Sequence, residues 1–300
     1  MRILAAIVTF NRCELLSRCI DHILTQTRPV HGVIVINNGS SDGTEDMLRS
    51  RCISFITQDN LGSAGGWHRA IVYAQRNDFD AVWLMDDDGF PDTNALDALA
   101  LSLEEGVACV SSIVVCEDDP SRFVFPFPRL NPGGLPLIWG WPRKIPRVSG
   151  VQAISSSGCY PFAHLFNGAL VSVQATVIAG NVDQGFFMFG DEVDYFFRLR
   201  GVGKVFSVLS ARHFHPDVSH RPYTPAKIYY YIKNSITLNI RYFDHHWIRH
   251  AMVILVLLGR VLRRNGLGMA LSLLAGSHSR IFYTAIARGL KGQVDRDFNA

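Results

Sequence analysis

The sequence predicts an α/β fold with a mainly parallel, mixed sheet, followed by helices at the C-terminal end. Short apolar runs alternate with amphipathic stretches through the first half of the chain, which is the pattern of successive β-α-β units. Hydrophobic residues make up 48% of the 300 residues and charged residues 18%, so the chain can bury a sizeable core. From residue 226 onward the apolar residues recur at helical spacing, which predicts the C-terminal helices.

The first half consists of predicted strands that alternate with predicted helices. Each strand is a short apolar run, and each helix carries apolar residues three and four positions apart. The strands are residues 3–9, 33–37, 53–57, 81–85 and 107–115, and the helices are 13–26, a helix from 44, 67–77 and 93–105. The glycine-rich residues 60–66 are predicted to form a loop before the third helix.

The second half is less regular. Residues 119–161 are rich in proline, glycine and aromatic residues, which predicts a long irregular loop. Strands follow at 166–173 and 205–209, the second ending before His213, and helices at 174–179 and 191–200. Within residues 236–290 we predict two helices with one apolar and one basic face.

Charge is distributed unevenly, although the net charge is only +3. Between Asn77 and Ser121 there are twelve acidic residues and no Lys or Arg. Between Arg241 and Lys291 there are eight basic residues and a single acidic one, Asp244. An acidic segment suits a metal site, and a basic, apolar tail suits an anionic membrane surface. The competing interpretation is that the tail packs on the rest of the chain or on another subunit.

Three features indicate the compartment. The six cysteines are scattered without a CxxC pair, which argues against a zinc module and for a reducing compartment. The apolar run at residues 3–10 is too short for a signal peptide. Arginines interrupt the apolar run that begins at Ala251, so no transmembrane helix is predicted. We therefore expect a cytoplasmic protein that is peripheral on the inner face of the cell membrane.

Three consecutive aspartates, Asp86, Asp87 and Asp88, follow the fourth predicted strand directly. Adjacent carboxylates repel one another, so the cluster needs a chemical reason. One interpretation is a helix N-cap, which Asp favours, although a cap needs only one such residue. Because side chains alternate along an extended segment, Asp86 and Asp88 are predicted to share one side and Asp87 the other. Two carboxylates at the carboxyl end of a parallel strand suit Mg²⁺ or Mn²⁺ holding a diphosphate.

Four segments, in this order, resemble the signatures of family-2 glycosyltransferases, which have the GT-A fold. The segments are residues 8–12 (VTFNR), 37–44 (NNGSSDGT), 60–66 (NLGSAGG) and 83–88 (WLMDDD). The last segment occupies the place of the metal-binding DxD motif, so the resemblance implies that Asp86 and Asp88 bind the metal. It also implies that the nucleotide-sugar donor is bound by Thr9, Phe10, Asn11, Arg12, Asn37, Asn38, Asn60, Gly65, Gly66, Asp86 and Asp87.

The second of these segments departs from the family pattern. Many members carry an acidic residue that contacts uracil where this chain has Asn37 or Asn38. An amide can still bind a pyrimidine edge, and the donor stays open between UDP-linked and dTDP-linked sugars. The glycine-rich segment, taken alone, is also explained by a tight turn.

An acidic pair, Asp191 and Glu192, marks the acceptor side. Residues 181–198 resemble the acceptor-side signature of the family, and the resemblance implies that Glu192 is the general base with Asp191 as its acidic neighbour. Displacement with inversion requires such a base on the acceptor hydroxyl. Asp191 as the base, and a simple helix cap, are the alternatives. The acceptor itself is expected to meet Asn167 and Gly168, with Trp139 and Trp141 stacking on sugar faces or only packing.

Two histidines follow the last predicted strand. Relatives complete the metal shell with a histidine at about this distance beyond the acidic pair, which favours His215 as the third protein ligand, with His213 as the alternative. An imidazole beside two carboxylates favours Mn²⁺ over Mg²⁺ without excluding either ion.

The predicted function is that of an inverting, metal-dependent glycosyltransferase in cell-surface polysaccharide synthesis. Residues 229–234 (YYYIKN) resemble a segment of bacterial rhamnosyl- and galactofuranosyltransferases, so these two sugars are favoured. The resemblance implies a glycan or a polyprenyl-linked glycan as acceptor. It also implies a catalytic domain at residues 1–225, with a nucleotide-sugar half at 1–118 and an acceptor half at 119–225, and a helical segment at 226–300.

Two other functional classes remain open. A nucleotidyltransferase also places acids and Mg²⁺ on an α/β sheet, but it normally has a basic, glycine-rich loop near the N-terminus, and the first glycine here is Gly32. A non-catalytic sugar-binding scaffold of the same fold would have no need of both acidic sites. Nucleic-acid binding is not supported, because the basic residues lie among aliphatic ones. The oligomeric state is left open, a homo-oligomer included.

Overall fold

The computed structural model describes residues 1–298 of the chain, which divide into two compact units. The first unit comprises Met1–Val182 and Tyr195–Asp217, and the second comprises Asp183–Asp194 and the chain from Val218 onward. The sequence predicted a single division after residue 225. The structure differs in that residues 183–194 belong with the C-terminal helices, because side chains of the first of those helices bind this segment.

The first unit is built on a mixed sheet, to which eleven strands within residues 1–298 contribute. In chain order these are β1 (Ile3–Thr9), β2 (Gly32–Asn37), β3 (Ser54–Thr57), β4 (Ala81–Asp86), β5 (Phe90–Pro91), β6 (Val107–Cys116), β7 (Arg122–Pro128), β8 (Lys144–Arg147), β9 (Cys159–Tyr160), β10 (Asn167–Ser172) and β11 (Lys204–His215). The order across the sheet is β3-β2-β1-β4-β10-β6-β11-β5, while β7 pairs with β6 and β8, and β9 pairs with β11. Strands β1 to β4 run parallel, and β10 runs antiparallel between β4 and β6. The predicted α/β class with a mainly parallel, mixed sheet is confirmed.

The helices that accompany this sheet follow the predicted alternation. They are α1 (Cys13–Leu24), α2 (Thr44–Ser50), α3 (Gly62–Arg76), α4 (Ala95–Ser102), α5 (Val148–Gln152), α6 (Val173–Ala179) and α7 (Asp191–Arg200). Helix α1 buries Leu16, Cys19 and Ile23, whose spacing is that of one helical face. Strand β1 is buried along its whole length, as its uninterrupted apolar run requires of a strand covered on both faces.

The sequence predicted a loop at the glycine-rich residues 60–66, but in the structure these residues run into the first turns of α3. Asn60 accepts a hydrogen bond from the Gly62 amide at 3.0 Å, which is an Asx turn leading into the helix. A Cβ on Gly66 would lie 2.5 Å from Cγ1 of Val8. The glycine is therefore needed so that α3 can approach β1 closely, a requirement of packing that the sequence pattern does not display.

Residues 119–161 are more regular than predicted, because β7, β8, α5 and β9 lie within them. Their aromatic residues fill a core of their own, in which Phe123, Phe127 and Tyr160 are buried. The sequence did not predict these paired strands because they contain proline, which removes backbone donors and argues against a strand. Proline is nevertheless tolerated at the edge of a sheet.

Strand β11 is longer than predicted and includes both histidines, which the sequence placed after the strand. Its pairing with β6 shifts register between Val208 and Arg212. This irregularity breaks the alternation of apolar and polar residues, so the sequence pattern ends before the strand does.

The described residues of the second unit form the 3₁₀ turn Gln184–Phe186, the first turn of α7, and four further helices. Three of these helices lie wholly within residues 236–290, where two were predicted. The helices are α8 (Pro225–Tyr242), α9 (His246–Asn265), α10 (Leu267–Ala275) and α11 (Ser279–Leu290). Gly266, at φ 86°, separates α9 from α10, a role that suits glycine. Buried Tyr230, Leu257 and Phe282 belong to its core. Among residues 1–298, no helix combines the length and the apolar character needed to cross a bilayer.

Candidate active site

The candidate site in the first unit begins where β1 and β4 end. These two strands are parallel neighbours, and the last residues of each are paired, Val8 with Asp86. Polar side chains that follow the two strands are therefore brought to the same edge of the sheet. The sequence predicted both segments as parts of a donor site, but it did not predict the bonds between them.

Asp87 is the centre of these bonds. Its buried carboxylate accepts from the Thr9 hydroxyl at 2.7 Å, from Nη1 of Arg12 at 2.8 Å and from the Phe10 amide at 3.4 Å. Burial raises the pKa of Asp87, while the charge of Arg12 and the Thr9 hydroxyl act in the opposite direction. Asp87 thus fixes the loop after β1 against the end of β4.

The alternation predicted for the three aspartates is wrong, because β4 ends at Asp86 and the next two residues form a turn. Nη1 of Arg12 contacts Asp87 at 2.8 Å and Asp88 at 2.9 Å, so both carboxylates reach the same guanidinium. The helix-cap interpretation fails as well, because α4 begins only at Ala95.

Asp88 and His215 form the second pair of the site. Nε2 of His215 lies 3.0 Å from Oδ1 of Asp88, and both side chains are buried. Nδ1 of His215 lies 2.7 Å from the carbonyl oxygen of Pro216 and must donate its proton, because a carbonyl only accepts. The ring is thereby oriented with Nε2 toward the carboxylate, the arrangement that metal-binding histidines adopt when a backbone carbonyl holds the other nitrogen.

The pair fits a divalent cation. Two ligand atoms held by one ion at about 2.1 Å and at a right angle are about 3.0 Å apart, the distance that separates these two atoms. Within residues 1–298 no group of three His, Cys, Asp or Glu side chains could hold a metal, so the structure does not bring Asp86 to this pair as a third ligand. Mg²⁺ commonly uses one or two carboxylates together with substrate phosphates, and two protein ligands therefore suffice. The participation of Asp86 stays a prediction.

His213, the alternative ligand, is a packing residue in this structure. Its ring is fully buried, and neither ring nitrogen has a hydrogen-bond partner among the described residues. A Cβ on Gly89 would lie 2.3 Å from Nε2, and one on Gly168 would lie 3.1 Å from Nδ1. Burial lowers the pKa of His213 to about 3, and the neighbouring His215 acts in the same direction. The two glycines make room for a neutral imidazole.

The asparagines of the second motif organise the neighbouring loops. Asn37 accepts from the Ser40 amide at 2.9 Å, and Asn38 accepts from Gln58 at 2.9 Å and donates to the Gly62 carbonyl at 3.1 Å. Asn11 accepts from the Ser41 amide at 2.8 Å and has a positive φ of 52°, which asparagine tolerates. These bonds connect the ends of β1 and β2 with the start of α3. The predicted contacts of these residues with a base stay predictions.

The predicted acceptor residues are placed very differently from one another. Trp139 and Trp141 are 67% and 88% exposed, so core packing does not explain them. Asn167 is buried at the start of β10, and its Oδ1 has no hydrogen-bond partner within the described residues. Gly168 has φ 87° and packs beside His213, which gives it a structural reason.

The acidic pair Asp191 and Glu192 begins α7, in the second unit. Asp191 is buried and Glu192 is half-buried. One turn on, Asp194 is buried and accepts from the Tyr242 hydroxyl at 2.7 Å and from Nη1 of Arg241 at 3.2 Å. This role of α8 was not predicted from the sequence. The only signal was the recurrence of polar residues at helical spacing along an otherwise apolar helix.

Comparisons with known proteins show the family and the fold of this chain. The family model described as Glycosyl transferase family 2 matches residues 5–167. Galactofuranosyltransferase GlfT1 of Mycolicibacterium smegmatis is 33% identical over 220 residues, which cover 71% of this chain and 70% of that protein. A structure of GalNAc-T7 with UDP, GalNAc and Mn²⁺ has a TM-score of 0.59 at 12% identity and covers 82% of this chain, which spans only 49% of that one. The mannosyltransferase PcManGT of Pyrobaculum calidifontis, in complex with GDP-Man and Mn²⁺, has a TM-score of 0.55 at 17% identity, covering 96% of this chain and 80% of that one.

Proposed function

We propose a function from the premise that this chain belongs to glycosyl transferase family 2 and is a glycosyltransferase of GT-A fold. It transfers galactofuranose from UDP-galactofuranose to a glycan or a polyprenyl-linked glycan. The transfer proceeds with inversion and uses a divalent metal. The observation that carries the proposal is the Asp88–His215 pair at the end of the donor-side strands, with Nε2 and Oδ1 3.0 Å apart. Similarity to a galactofuranosyltransferase favours this sugar over rhamnose from a dTDP carrier. Synthesis of a cell-surface polysaccharide is the pathway we propose.

On the donor side, Asp88 and His215 would hold Mn²⁺ or Mg²⁺, and Asp86 is proposed to assist them. The ion would neutralise the diphosphate as it departs. Arg12 already lies 2.9 Å from Asp88 and is 40% exposed along its side chain, so it can reach a phosphate as well as the two carboxylates. Phe10, Asn11, Asn37, Asn38 and Asn60 are proposed to line the nucleotide.

On the acceptor side, we assign the role of general base to Glu192, with Asp191 as the alternative. The acceptor oxygen attacks the anomeric carbon while the bond to the diphosphate breaks, and its proton passes to the carboxylate. Trp139 and Trp141 are proposed to stack on the acceptor, for which their exposure supplies the surface.

The second unit is proposed to lie against an anionic membrane leaflet. On α9, Trp247 and Leu255 are each 68% exposed, and Leu262 continues the same helical face. Leu267, Leu271, Tyr283 and Leu290 extend the exposed apolar surface onto α10 and α11. Residues 245–294 contain no Asp or Glu, and Arg263, Arg280 and Lys291 are exposed there, whereas Arg249 and Arg288 are paired with Asp244 and Asp297. Apolar insertion combined with cationic flanks is the pattern of peripheral attachment to anionic lipid.

The proposal is tested by a donor panel with the purified chain. UDP-galactofuranose, UDP-galactopyranose, dTDP-rhamnose and GDP-mannose are each incubated with Mn²⁺ and a galactan-type acceptor. We expect release of free UDP from UDP-galactofuranose, together with extension of the acceptor. Release of pyrophosphate from UTP and a sugar phosphate would indicate a nucleotidyltransferase instead, and inertness toward the whole panel would favour a scaffold.

A further inference from the structure

The segment that leads into the acidic pair has a strained backbone. Phe187 and Phe189 have positive φ values of 54° and 59°, a region that bulky side chains rarely adopt. Gly190 follows at φ 96°, and Asp191 begins α7 immediately afterwards. Such strain persists only where surrounding contacts enforce it. The contacts that enforce it here come from α8.

Asn234 supplies the first of these contacts. It is fully buried, and its amide nitrogen lies 3.0, 2.9 and 2.7 Å from the carbonyl oxygens of Phe186, Met188 and Phe189, so its two protons are shared among three acceptors. Its own Oδ1 has no hydrogen-bond partner among the described residues. A carboxylate, a hydrocarbon side chain or a hydroxyl in this place could not donate to all three carbonyls.

The same face of α8 continues this support along α7. Leu238 lies one turn after Asn234, and both side chains close around Gly190, where a Cβ would lie 3.1 Å from each of them. Tyr242, one turn further, donates its hydroxyl to Asp194 at 2.7 Å. The residues before and after Asp191 and Glu192 are therefore fixed by one helical face.

Lys233, the neighbour of Asn234 in the same motif, does something different. Its Nζ lies 2.6 Å from Oδ1 of Asp297, and so it fastens the C-terminal segment. The aromatic–basic–Asn segment noted in the sequence thus contains two unrelated anchors. Of these two, Asn234 bonds to the backbone of the strained loop, while Tyr230 and Tyr231 pack against the rings of Phe187 and Phe189.

We propose that Asn234, assisted by Tyr242, is a positioning residue for the acceptor-side base. It fixes the strained loop 186–190, and through that loop it orients the carboxylates of Asp191 and Glu192. This inference rests on the proposed role of the acidic pair in proton transfer. It assigns a function in the reaction to a side chain that is buried and meets no substrate itself.

The test compares Asn234→Leu with a matched control, Thr237→Val. Both changes remove buried hydrogen bonds on α8, but Thr237 donates to the carbonyls of Lys233 and Gly289 and does not hold the loop. Asn234→Leu is expected to lower kcat for transfer about 10²-fold, the usual effect of misplacing a catalytic group by about 1 Å, while KM for the donor stays within about twofold. Thr237→Val is expected to lower the Tm without this loss of kcat. Equal losses of kcat in both variants, at matched temperature below their Tm values, would overturn the inference.

Tyr242→Phe provides a second, milder variant that keeps the packing of the ring. It is expected to lower kcat by about tenfold, because one hydrogen bond to a charged group is lost. Unchanged kcat in both Asn234→Leu and Tyr242→Phe, with Glu192→Gln inactive, would overturn the inference but leave the proposed base intact. Full activity of both Glu192→Gln and Asp191→Asn would overturn the proposed base itself. If Asn234→Leu does not fold, the kcat of Tyr242→Phe decides between these results.

Discussion

The two acidic sites of this chain are held in place by different physical means. At the end of β4, the carboxylates of Asp87 and Asp88 are bound directly by a permanent cation, Arg12. At the start of α7, the loop before Asp191 is bound through its backbone by the neutral amide of Asn234. Arg12 acts to lower the pKa of Asp87 against the burial that raises it, whereas the amide of Asn234 bonds to carbonyl oxygens and not to a carboxylate. The first pair of carboxylates is therefore held by charge, and the loop before the second pair by neutral hydrogen bonds to its backbone, which suits the donor-side and acceptor-side roles that we propose for them.

The largest loss of transfer activity is expected when the carboxylate of Asp88 is removed. Asp88→Ala removes one of the two proposed metal ligands, so transfer should fall by about 10⁴-fold or more, as expected when metal stabilisation of several kcal/mol is lost. EDTA should do the same to the wild-type chain, and Mn²⁺ should restore only the wild type. Circular dichroism and Tm verify that the variant is folded. A chelated wild-type enzyme with full activity would show that the donor side does not work through a metal.

The next effect concerns the acceptor side. Glu192→Gln is nearly isosteric but cannot accept the proton, so kcat should fall by about 10²–10⁴-fold, the usual contribution of general-base catalysis. Asp191→Asn is the matched control and should retain most of the activity. A deeper loss in Asp191→Asn would transfer the role of base to Asp191. If neither variant loses activity, the comparison between the two sites fails, because the second site is then only structural.

Arg12→Gln tests whether the cation at the donor side competes with the metal. Removing a positive charge 2.9 Å from Asp88 should make Mn²⁺ alone bind about tenfold more tightly, a change of about 1.4 kcal/mol. UDP should bind more weakly in the same variant if Arg12 also reaches the diphosphate. Electron paramagnetic resonance of free Mn²⁺ measures the first effect and calorimetry the second. Weaker binding of Mn²⁺ in the variant would contradict the competition and would indicate that Arg12 orients the carboxylates for the metal.

The sequence predicts the donor side of the site better than the acceptor side. Resemblance to the family signatures indicated Thr9 and Arg12, and the cluster of carboxylates directly after an apolar strand indicated Asp88. The bonds among them were not predicted, since the register of β1 against β4 is a tertiary property. The turn at Asp87 also broke an alternation that holds only within a strand.

The acceptor side was harder to predict because its supports are distant in sequence. Asn234 bonds to carbonyls about 46 residues away, and backbone atoms leave no trace in the sequence of the loop. Residues 119–161 were misjudged for another reason, since buried Phe127 and Tyr160 belong to a small separate core whose strands contain proline. The sequence indicated both histidines as candidate metal ligands. The choice of His215 over His213 depends on the distance from His215 to Asp88, which only the structure gives.

The smallest effect on catalysis is expected at the exposed apolar surface of the second unit. Leu255→Gln should leave transfer to a short soluble acceptor unchanged, but it should weaken binding to vesicles of anionic lipid about tenfold, as expected for one leucine removed from an apolar environment. Ile178→Gln is the control, because Ile178 is also exposed but lies on α6 in the first unit. Flotation with anionic and neutral vesicles measures both. Binding that does not respond to lipid charge would contradict the membrane proposal, and a concentration-dependent change of mass in ultracentrifugation would indicate that a second copy covers the surface.

We propose that the two acidic sites have separate roles, one in binding the diphosphate and one in proton transfer. Calorimetry of UDP binding with and without Mn²⁺ tests this most directly. The measurement compares three proteins, the wild type, Asp88→Ala and Glu192→Gln. The account predicts that Mn²⁺ strengthens UDP binding to the wild type and equally to Glu192→Gln, because the base takes no part in holding the diphosphate. It predicts that Mn²⁺ has no effect in Asp88→Ala. The same metal dependence in all three proteins, or its loss in Glu192→Gln alone, would contradict the account.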